Sequence, residues 1–446
     1  MDFNEKPLLE KSMSYALDSV EEAEVMIHEN ISTPVGFEAE KLKEIETRET
    51  WGLGVRIIKN GRIGISSTSN PDQFMTAIDR AIELSEYGPE AHFKLPSKTT
   101  YEEVKTYDPQ IETLLLEQMA DYGREIIAKV KPISQETLFD AGIQKSLSTF
   151  AFLNSNDVFF SSNKSSFSSW LSGTLIRGTD MLFVSESFRG NSPKWDVDSL
   201  ISEVERQLSW GEAIVDSPSG KLPVLFLPRA VVSVLLSPFM SGINGKSVLH
   251  GSSPLGDKLE TKIFDDRITI HDNPMLDLKP SSRFADDEGI KTKDRYLVEN
   301  GTLKTILYDL QTAGQSGKQS TGNASRGLGS MPGVSNSYIT VSPGNASFDM
   351  LLTELQNGII VEQLIGMGQG NTLGGDAGGN ILLGYRVKDG KIVGRIKDTM
   401  LNCNIYDALS NIIAIGSNSK ELGGSMSIPA ILCKDISVSP KINQEK

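Results

Sequence analysis

The chain has little with which to hold a metal or a disulfide framework. Its 446 residues include two cysteines, Cys403 and Cys433, and four histidines, His28, His92, His250 and His271. Two cysteines cannot build a disulfide scaffold, and so few thiols suit a reducing cytosol. No two histidines stand within one helical turn, which excludes the paired-histidine helix of zinc peptidases. Long apolar runs are missing too: no stretch approaches the roughly 20 residues that span a bilayer. The opening MDFNEKPLLEKSM is charged and has neither the apolar segment nor the small-residue cleavage site of a secretory signal. Basic charge is in deficit. A formal net charge of −14 runs against nucleic-acid binding, whose affinity comes largely from Lys and Arg neutralising phosphates. The expectation is a cytoplasmic protein with no membrane and no direct nucleic-acid contact.

Nucleotide and acyl-transfer signatures are also lacking. The run Gly242–Ser247 ends like a phosphate-binding loop, but that motif needs glycine at position 240, which is Met. In the run Gly366–Asn371 the third glycine is misplaced for a dinucleotide fingerprint, and a hairpin pattern follows it instead of a helix. No serine has the Gly-x-Ser-x-Gly setting of a nucleophile elbow.

What is present is an ordinary globular composition, 38% hydrophobic and 23% charged, on a chain long enough for about three domain-sized units. Apolar spacing predicts a helix over 7–22, strands over 24–30 and 41–47, and a hairpin, 54–58 with 62–66, turned at Asn60-Gly61. His28 falls at a polar-phase position, as an exposed side chain would. Asn70-Pro71 starts a helix that ends near Gly88-Pro89. A polar connection, 91–109, leads to a helix over 112–131 and strands at 138–144, 148–153, 157–160, 165–176 and 181–189. The serine-rich run 161–172 reads as an edge or curved strand because Phe167, Trp170 and Leu171 interrupt it. A helix over 197–215 closes the first half, and the turn residues 216–221 mark the main boundary.

The second half reads as a strand at 222–227, a buried helix at 229–240, a strand at 263–271 and a hairpin through Asn300-Gly301. A helix at 348–356, a strand at 359–365, a hairpin 381–396, a helix at 405–415, a strand at 426–432 and a polar tail from 434 complete it. The fold class is α+β. Residues 1–218 form an N-terminal α/β region, with subunits roughly 1–90 and 110–216, and 219–446 form a larger, β-rich C-terminal region of mixed sheet.

Three stretches stand out chemically. Glycine recurs at 366, 368, 370, 374, 375, 378 and 379, around Asn371 and Asp376. Such density serves either tight turns in a largely buried β-rich core or bare N–H groups facing a ligand or partner strand. Asp286, Asp287 and Glu288 follow Arg283; three adjacent carboxylates make a solvated turn, or bind a cation or a basic group. Ser320, Thr321 and Asn323 form a small polar loop, a helix exit or a presenter of hydroxyl and amide groups to a peptide backbone.

Four blocks together resemble the TldD/PmbA family: Gly52-Leu53-Gly54-Val55-Arg56 with Gly64 and Ser67-Thr68; Phe284 to Gly289; Ser320 to Ala324; and Gly374 to Gly379. The resemblance implies a two-part fold and a cytosolic peptidase system. There a TldD-like and a TldE-like (PmbA) subunit act together on unfolded peptides; an older label for the family is modulator of DNA gyrase. TldD-like members carry a His-Glu-x-x-x-His helix and a downstream cysteine that hold zinc. Here the matching positions are Ser237, Pro238 and Gly242, and the cysteine stretch reads Ile415-Gly416-Ser417-Asn418-Ser419. The resemblance therefore implies a PmbA/TldE-like chain without catalytic residues, metal ligands or cofactor of its own, zinc being expected only in a TldD-like partner. It would pair with that zinc subunit or with itself. Its peptide- or partner-binding residues would be Arg283, Asp286, Asp287, Glu288, Ser320, Thr321, Asn323, Asn371, Gly374, Gly375 and Asp376. The competing readings are a stand-alone hydrolase with an unrecognised site around the three carboxylates, and a homodimeric peptide-binding protein.

Overall fold

A computed structural model describes residues 5–368 and 370–441. The first half is a seven-stranded antiparallel sheet. Its strands are β1 (Glu22–Glu38), β2 (Lys41–Ile45), β3 (Arg48–Lys59), β4 (Arg62–Thr68), β5 (Leu138–Asn154), β6 (Phe159–Arg177) and β7 (Asp180–Gly190). They run in the order β4-β3-β1-β5-β6-β7, with β2 folded back on β1. The β3–β4 turn is made by Asn60 and Gly61, at φ of 52° and 72°, as a two-residue hairpin loop with positive φ requires.

One face of this sheet is closed by helices. Lys6–Leu17 and Phe74–Ser85 press Leu9, Met13, Ile78 and Ala81 onto Val25, Ile27, Leu53 and Val55. Gly64 lets the second of these helices approach, because a Cβ there would run into the Ala81 carbonyl. Asn70 caps the short 3-10 turn Pro71–Gln73 that leads into that helix, accepting the Asp72 N–H at 3.0 Å. Helices Leu116–Val130 and Val197–Gly211 cover the rest, around Phe139, Ile143, Leu171 and Val184. The serine-rich run is strand throughout: from Phe167 it pairs on both sides, and before that only with β5.

The second half is an eleven-stranded mixed sheet. Gly220–Phe226 runs parallel to Gly358–Ile365, which continues through Asp376–Lys388 and Thr399–Asn404 to Met426–Pro440. That last strand pairs back onto Gly220–Phe226, closing the circuit. The mixed helix and strand content and the strand-rich C-terminal half make the fold α+β.

Three expectations change here. The helix expected over 405–415 stops at Ser410, and Ile412–Leu422 is a strand. Ile412, Ile413 and Ile415 are β-branched and stiff at χ1, and they find a partner in Met426–Pro440. That partner extends to Pro440 instead of ending near 432, because two neighbouring strands pair with its second half. The strand expected over 263–271 shrinks to Ile270–Asp272. Asp265 turns the chain instead, its side chain accepting the Arg267 N–H at 3.0 Å.

The glycine loop differs as well. Residues 366, 368, 370 and 371 are exposed, and burial resumes at Gly375 and Ala377–Gly379, where the next strand joins the sheet. Gly366, Gly368 and Gly370 have φ of 73°, 91° and 86°, so glycine serves turning here, at the surface.

Candidate functional site

The sheet face opposite the helices carries polar groups that a one-layer sheet would leave in water. Glu24 on β1 stands directly across from Arg56 on β3. Both are covered instead by residues 284–289 and 324–328 of the second half. Gly52 and Gly54 make room for that cover, since a Cβ at either would run into Leu328. Arg56 donates through Nη2 to Glu24 at 3.0 Å and through Nη1 to Glu288 at 2.7 Å. Arg326 also pairs with Glu24, and all four side chains are at most 1% exposed. Two cations thus meet two carboxylates in a dry junction. Burial opposes the charge on Arg56, yet Glu24 and Glu288 hold its pKa above the ordinary value.

The acidic cluster fastens the junction. Asp286 accepts from the backbone N–H groups of Glu288, Ile290 and Ala324 at 3.0, 2.9 and 2.9 Å. Asp287 accepts the Arg326 N–H at 2.9 Å, and the second oxygen of Glu288 accepts the Leu310 N–H at 2.7 Å. Burial pushes the Asp286 and Glu288 carboxyls above the usual carboxylate range, while Arg283 and Arg56 respectively pull them back. The three carboxylates are therefore not a solvated turn: two are fully buried and each has a basic or N–H partner.

Beside the junction lies a cavity of about 360 Å³ between β1, β5, β6 and the segments around 284 and 326. Its apolar wall includes Met26, Phe150, Phe160, Phe284 and Leu328, and its charged end has Lys164, Arg283 and Asp287. Lys164 donates to the Pro280 carbonyl at 3.3 Å. Burial, then the nearby Arg283, pushes its ammonium down to about 8. Arg283 donates to the Ala324 carbonyl at 2.9 Å and lies 3.5 Å from Asp287; its buried Nη2 has no hydrogen-bond partner. His28 opens to solvent at the rim, where desolvation lowers its pKa and Asp287 opposes the shift.

The remaining expected residues do not join this cavity. Asn323 is buried, donating to Asp272 at 3.0 Å and accepting from Arg295 at 2.9 Å. Ser320 and Thr321 line a second, wider depression and bond to the Tyr308 backbone. Asn371, Gly374, Gly375 and Asp376 form a separate turn in which Asn371 accepts the Gly374 N–H at 3.0 Å. Of the eleven residues named from the sequence, Arg283 and Asp287 line the cavity. Lys164 was missed, although Phe160, Ser162 and Lys164 share one strand phase and so one face.

Residues 219–440 match the model of the PmbA/TldA metallopeptidase C-terminal domain, and residues 23–86 match PmbA/TldA metallopeptidase domain 1. The chain belongs to the TldD/PmbA family. It is 28% identical to an uncharacterized protein of Methanocaldococcus jannaschii, over 93% of this chain and 95% of that one. It is 26% identical to the metalloprotease PmbA homolog of Buchnera aphidicola, over 93% and 92% of the two chains. Its fold matches the crystal structure of TldE from Thermococcus kodakarensis with a TM-score of 0.88, at 20% identity over 97% of this chain and all of that one.

Three of the four TldD/PmbA blocks converge on the junction: Gly52, Gly54 and Arg56 from the first, Asp286 to Glu288 from the second, Ala324 from the third. Ser237, Pro238 and Gly242, the positions the resemblance matches to the family's zinc motif, end the helical stretch Pro228–Gly242, which widens to π-helical spacing over Val231–Leu236. Ser237 N–H bonds back five residues to the Val232 carbonyl. Ser237 and Ser417 are exposed, Pro238 is buried, and a Cβ at 242 would lie 2.9 Å from the Tyr406 hydroxyl. These residues do not fit zinc: a proline and a glycine offer no donor, and serine is a poor neutral ligand. Cys403 and Cys433 are unbridged, and burial pushes the Cys403 thiol up to about 12, far from the thiolate that binds metal. Among the described residues no helix is long and apolar enough to cross a membrane.

Proposed function

We propose that this chain is a PmbA/TldE-like subunit of a cytoplasmic TldD/TldE-type metallopeptidase system. It binds unfolded peptide and leaves the zinc chemistry to a TldD-like partner. The observation that carries this reading is the helix at Ser237–Gly242, where side chains for zinc and for a general base are replaced by ones that serve neither. Packing closes the second histidine position further, since Tyr406 occupies the space beside Gly242. The family's metallopeptidase character supports a peptide substrate, and the net charge of −14 opposes a nucleic-acid one.

The test combines zinc analysis of tag-free protein with a peptide-cleavage assay, alone and with a TldD-like chain. We expect well under one zinc per chain, no cleavage alone, and chelator-sensitive cleavage with the partner. Stoichiometric zinc and cleavage by this chain alone would promote the stand-alone hydrolase. Installing His at 237 and 242 and Glu at 238 is expected to fail, because the third ligand is also missing at Ser417.

A further inference from the structure

We propose that the cavity beside the junction is a pocket for the C-terminal residue of a peptide. Lys164 and Arg283 would hold its free carboxylate, and its apolar side chain would lie on the phenylalanine wall. The proposal rests on the peptide-binding reading above and adds which end of the peptide is captured, and where.

Charge comes first. Two cations face one carboxylate, Asp287, which already accepts the Arg326 N–H at 2.9 Å. Arg326 itself, Arg56, Glu24 and Glu288 pair among themselves and contribute no spare charge to the cavity. Arg189 adds a further positive influence on Lys164. Asp286 and Asp272 also act on Arg283 from behind the wall, so among the described residues Lys164 is the cation at this site with no carboxylate in ion-pair contact.

Donors point the same way. Lys164 has three N–H groups, and its described bond is a long one, 3.3 Å, to a backbone carbonyl. Arg283 keeps Nη2 buried without a partner. An ammonium with donors to spare at the cavity wall gains when a ligand oxygen reaches it. A carboxylate accepts from both cations through charge-assisted bonds.

The wall then selects the ligand. The ring of Phe160 lies 5.9 Å from Phe150 and 5.4 Å from Phe284, centroid to centroid. Such a surface suits an aliphatic or aromatic side chain and repels a bare inorganic anion or a ribose. The volume, about 360 Å³, matches a terminal residue better than a folded ligand. Capture of a peptide carboxylate by fixed donors is an established recognition mode.

The test uses the full chain, alone and with a TldD-like partner, and an N-acetylated Gly/Ala hexapeptide ending in Phe. The peptide is supplied as the free acid and as the C-terminal amide. We expect the acid to bind about tenfold more tightly, as loss of one charge-assisted hydrogen bond predicts. Lys164→Met should abolish the difference and Lys164→Arg should keep most of it. The acid, but not the amide, should protect Lys164 from a limiting amine-reactive reagent read by mass spectrometry. Equal binding of acid and amide by the unmutated chain overturns the pocket and leaves peptide binding standing. If neither peptide binds but N-acetylphenylalanine still protects Lys164, the carboxylate site stands and the peptide reading fails. Absence of protection by any of the three overturns both.

Discussion

Glycine works differently in the first TldD/PmbA block and in the loop that begins at Gly366. At Gly52 and Gly54 the backbone is ordinary strand, and the missing Cβ lets the segment around Leu328 lie directly on β3. At Gly366 and Gly368 nothing stands within 4 Å of where a Cβ would be, and the requirement is a positive φ. The first kind is decided by a neighbour remote in sequence, the second by the chain's own turn. A motif rich in glycine thus has no single meaning: close approach makes it part of the core, while turning leaves it at the surface.

That contrast can be broken most forcefully at Arg56. Arg56→Met leaves Glu24 and Glu288 buried without their shared cation, and should cost about 3–5 kcal/mol. The measurement is urea unfolding; a change no larger than that of a surface substitution would show that water already reaches the junction. Next comes Gly54→Val, which drives a side chain into the Leu328 carbonyl. A backbone oxygen cannot rotate away, so the cost should reach about 3 kcal/mol. Gly366→Ala meets open space and pays only for its φ, about 1 kcal/mol. In the same spirit, thermolysin should cut at Met367 or Leu373 before it cuts anywhere in β3. Early cleavage in β3 with the loop intact would reverse the assignment of surface and core.

The smallest expected effect concerns pH. Burial lowers the Lys164 pKa to about 8 from an ordinary 10.5. Between those values the unfolded chain still holds the proton that the folded chain has released, so the Lys164 contribution to stability rises with pH. The urea midpoint of the unmutated chain, relative to Lys164→Met, should therefore climb between pH 8 and 10. A flat difference would mean that Lys164 is fully hydrated.

Much of the fold was legible. The hairpins at Asn60-Gly61, Asn300-Gly301 and Asp389-Gly390 follow from residues that tolerate positive φ, and all six residues have it. The helices at 6–17 and 74–85 follow from apolar periodicity. Misreadings arose where a short β-branched run had no local tie-breaker, as at Ile412–Ile415, where strand pairing outweighed helical spacing. The site was legible in part. Arg283 and Asp287 stood in a recognisable block, and His28 is exposed as its strand phase predicts, but nothing local marked Glu24, which shares that phase and is buried. Glu24 is dry only because a second layer covers it.

Local pattern was enough for the family, the α+β class and the turns. Each of these is a property of residue types or of short-range spacing. Tertiary structure alone decided that Arg56 meets Glu288, 232 residues away, and that Lys164 faces Arg283 across a cavity. It decided too that the glycine loop is exposed. Those outcomes depend on which surfaces pack together. The free energy of a buried charge or an unfilled donor is set by its neighbours in space, and no local pattern encodes them.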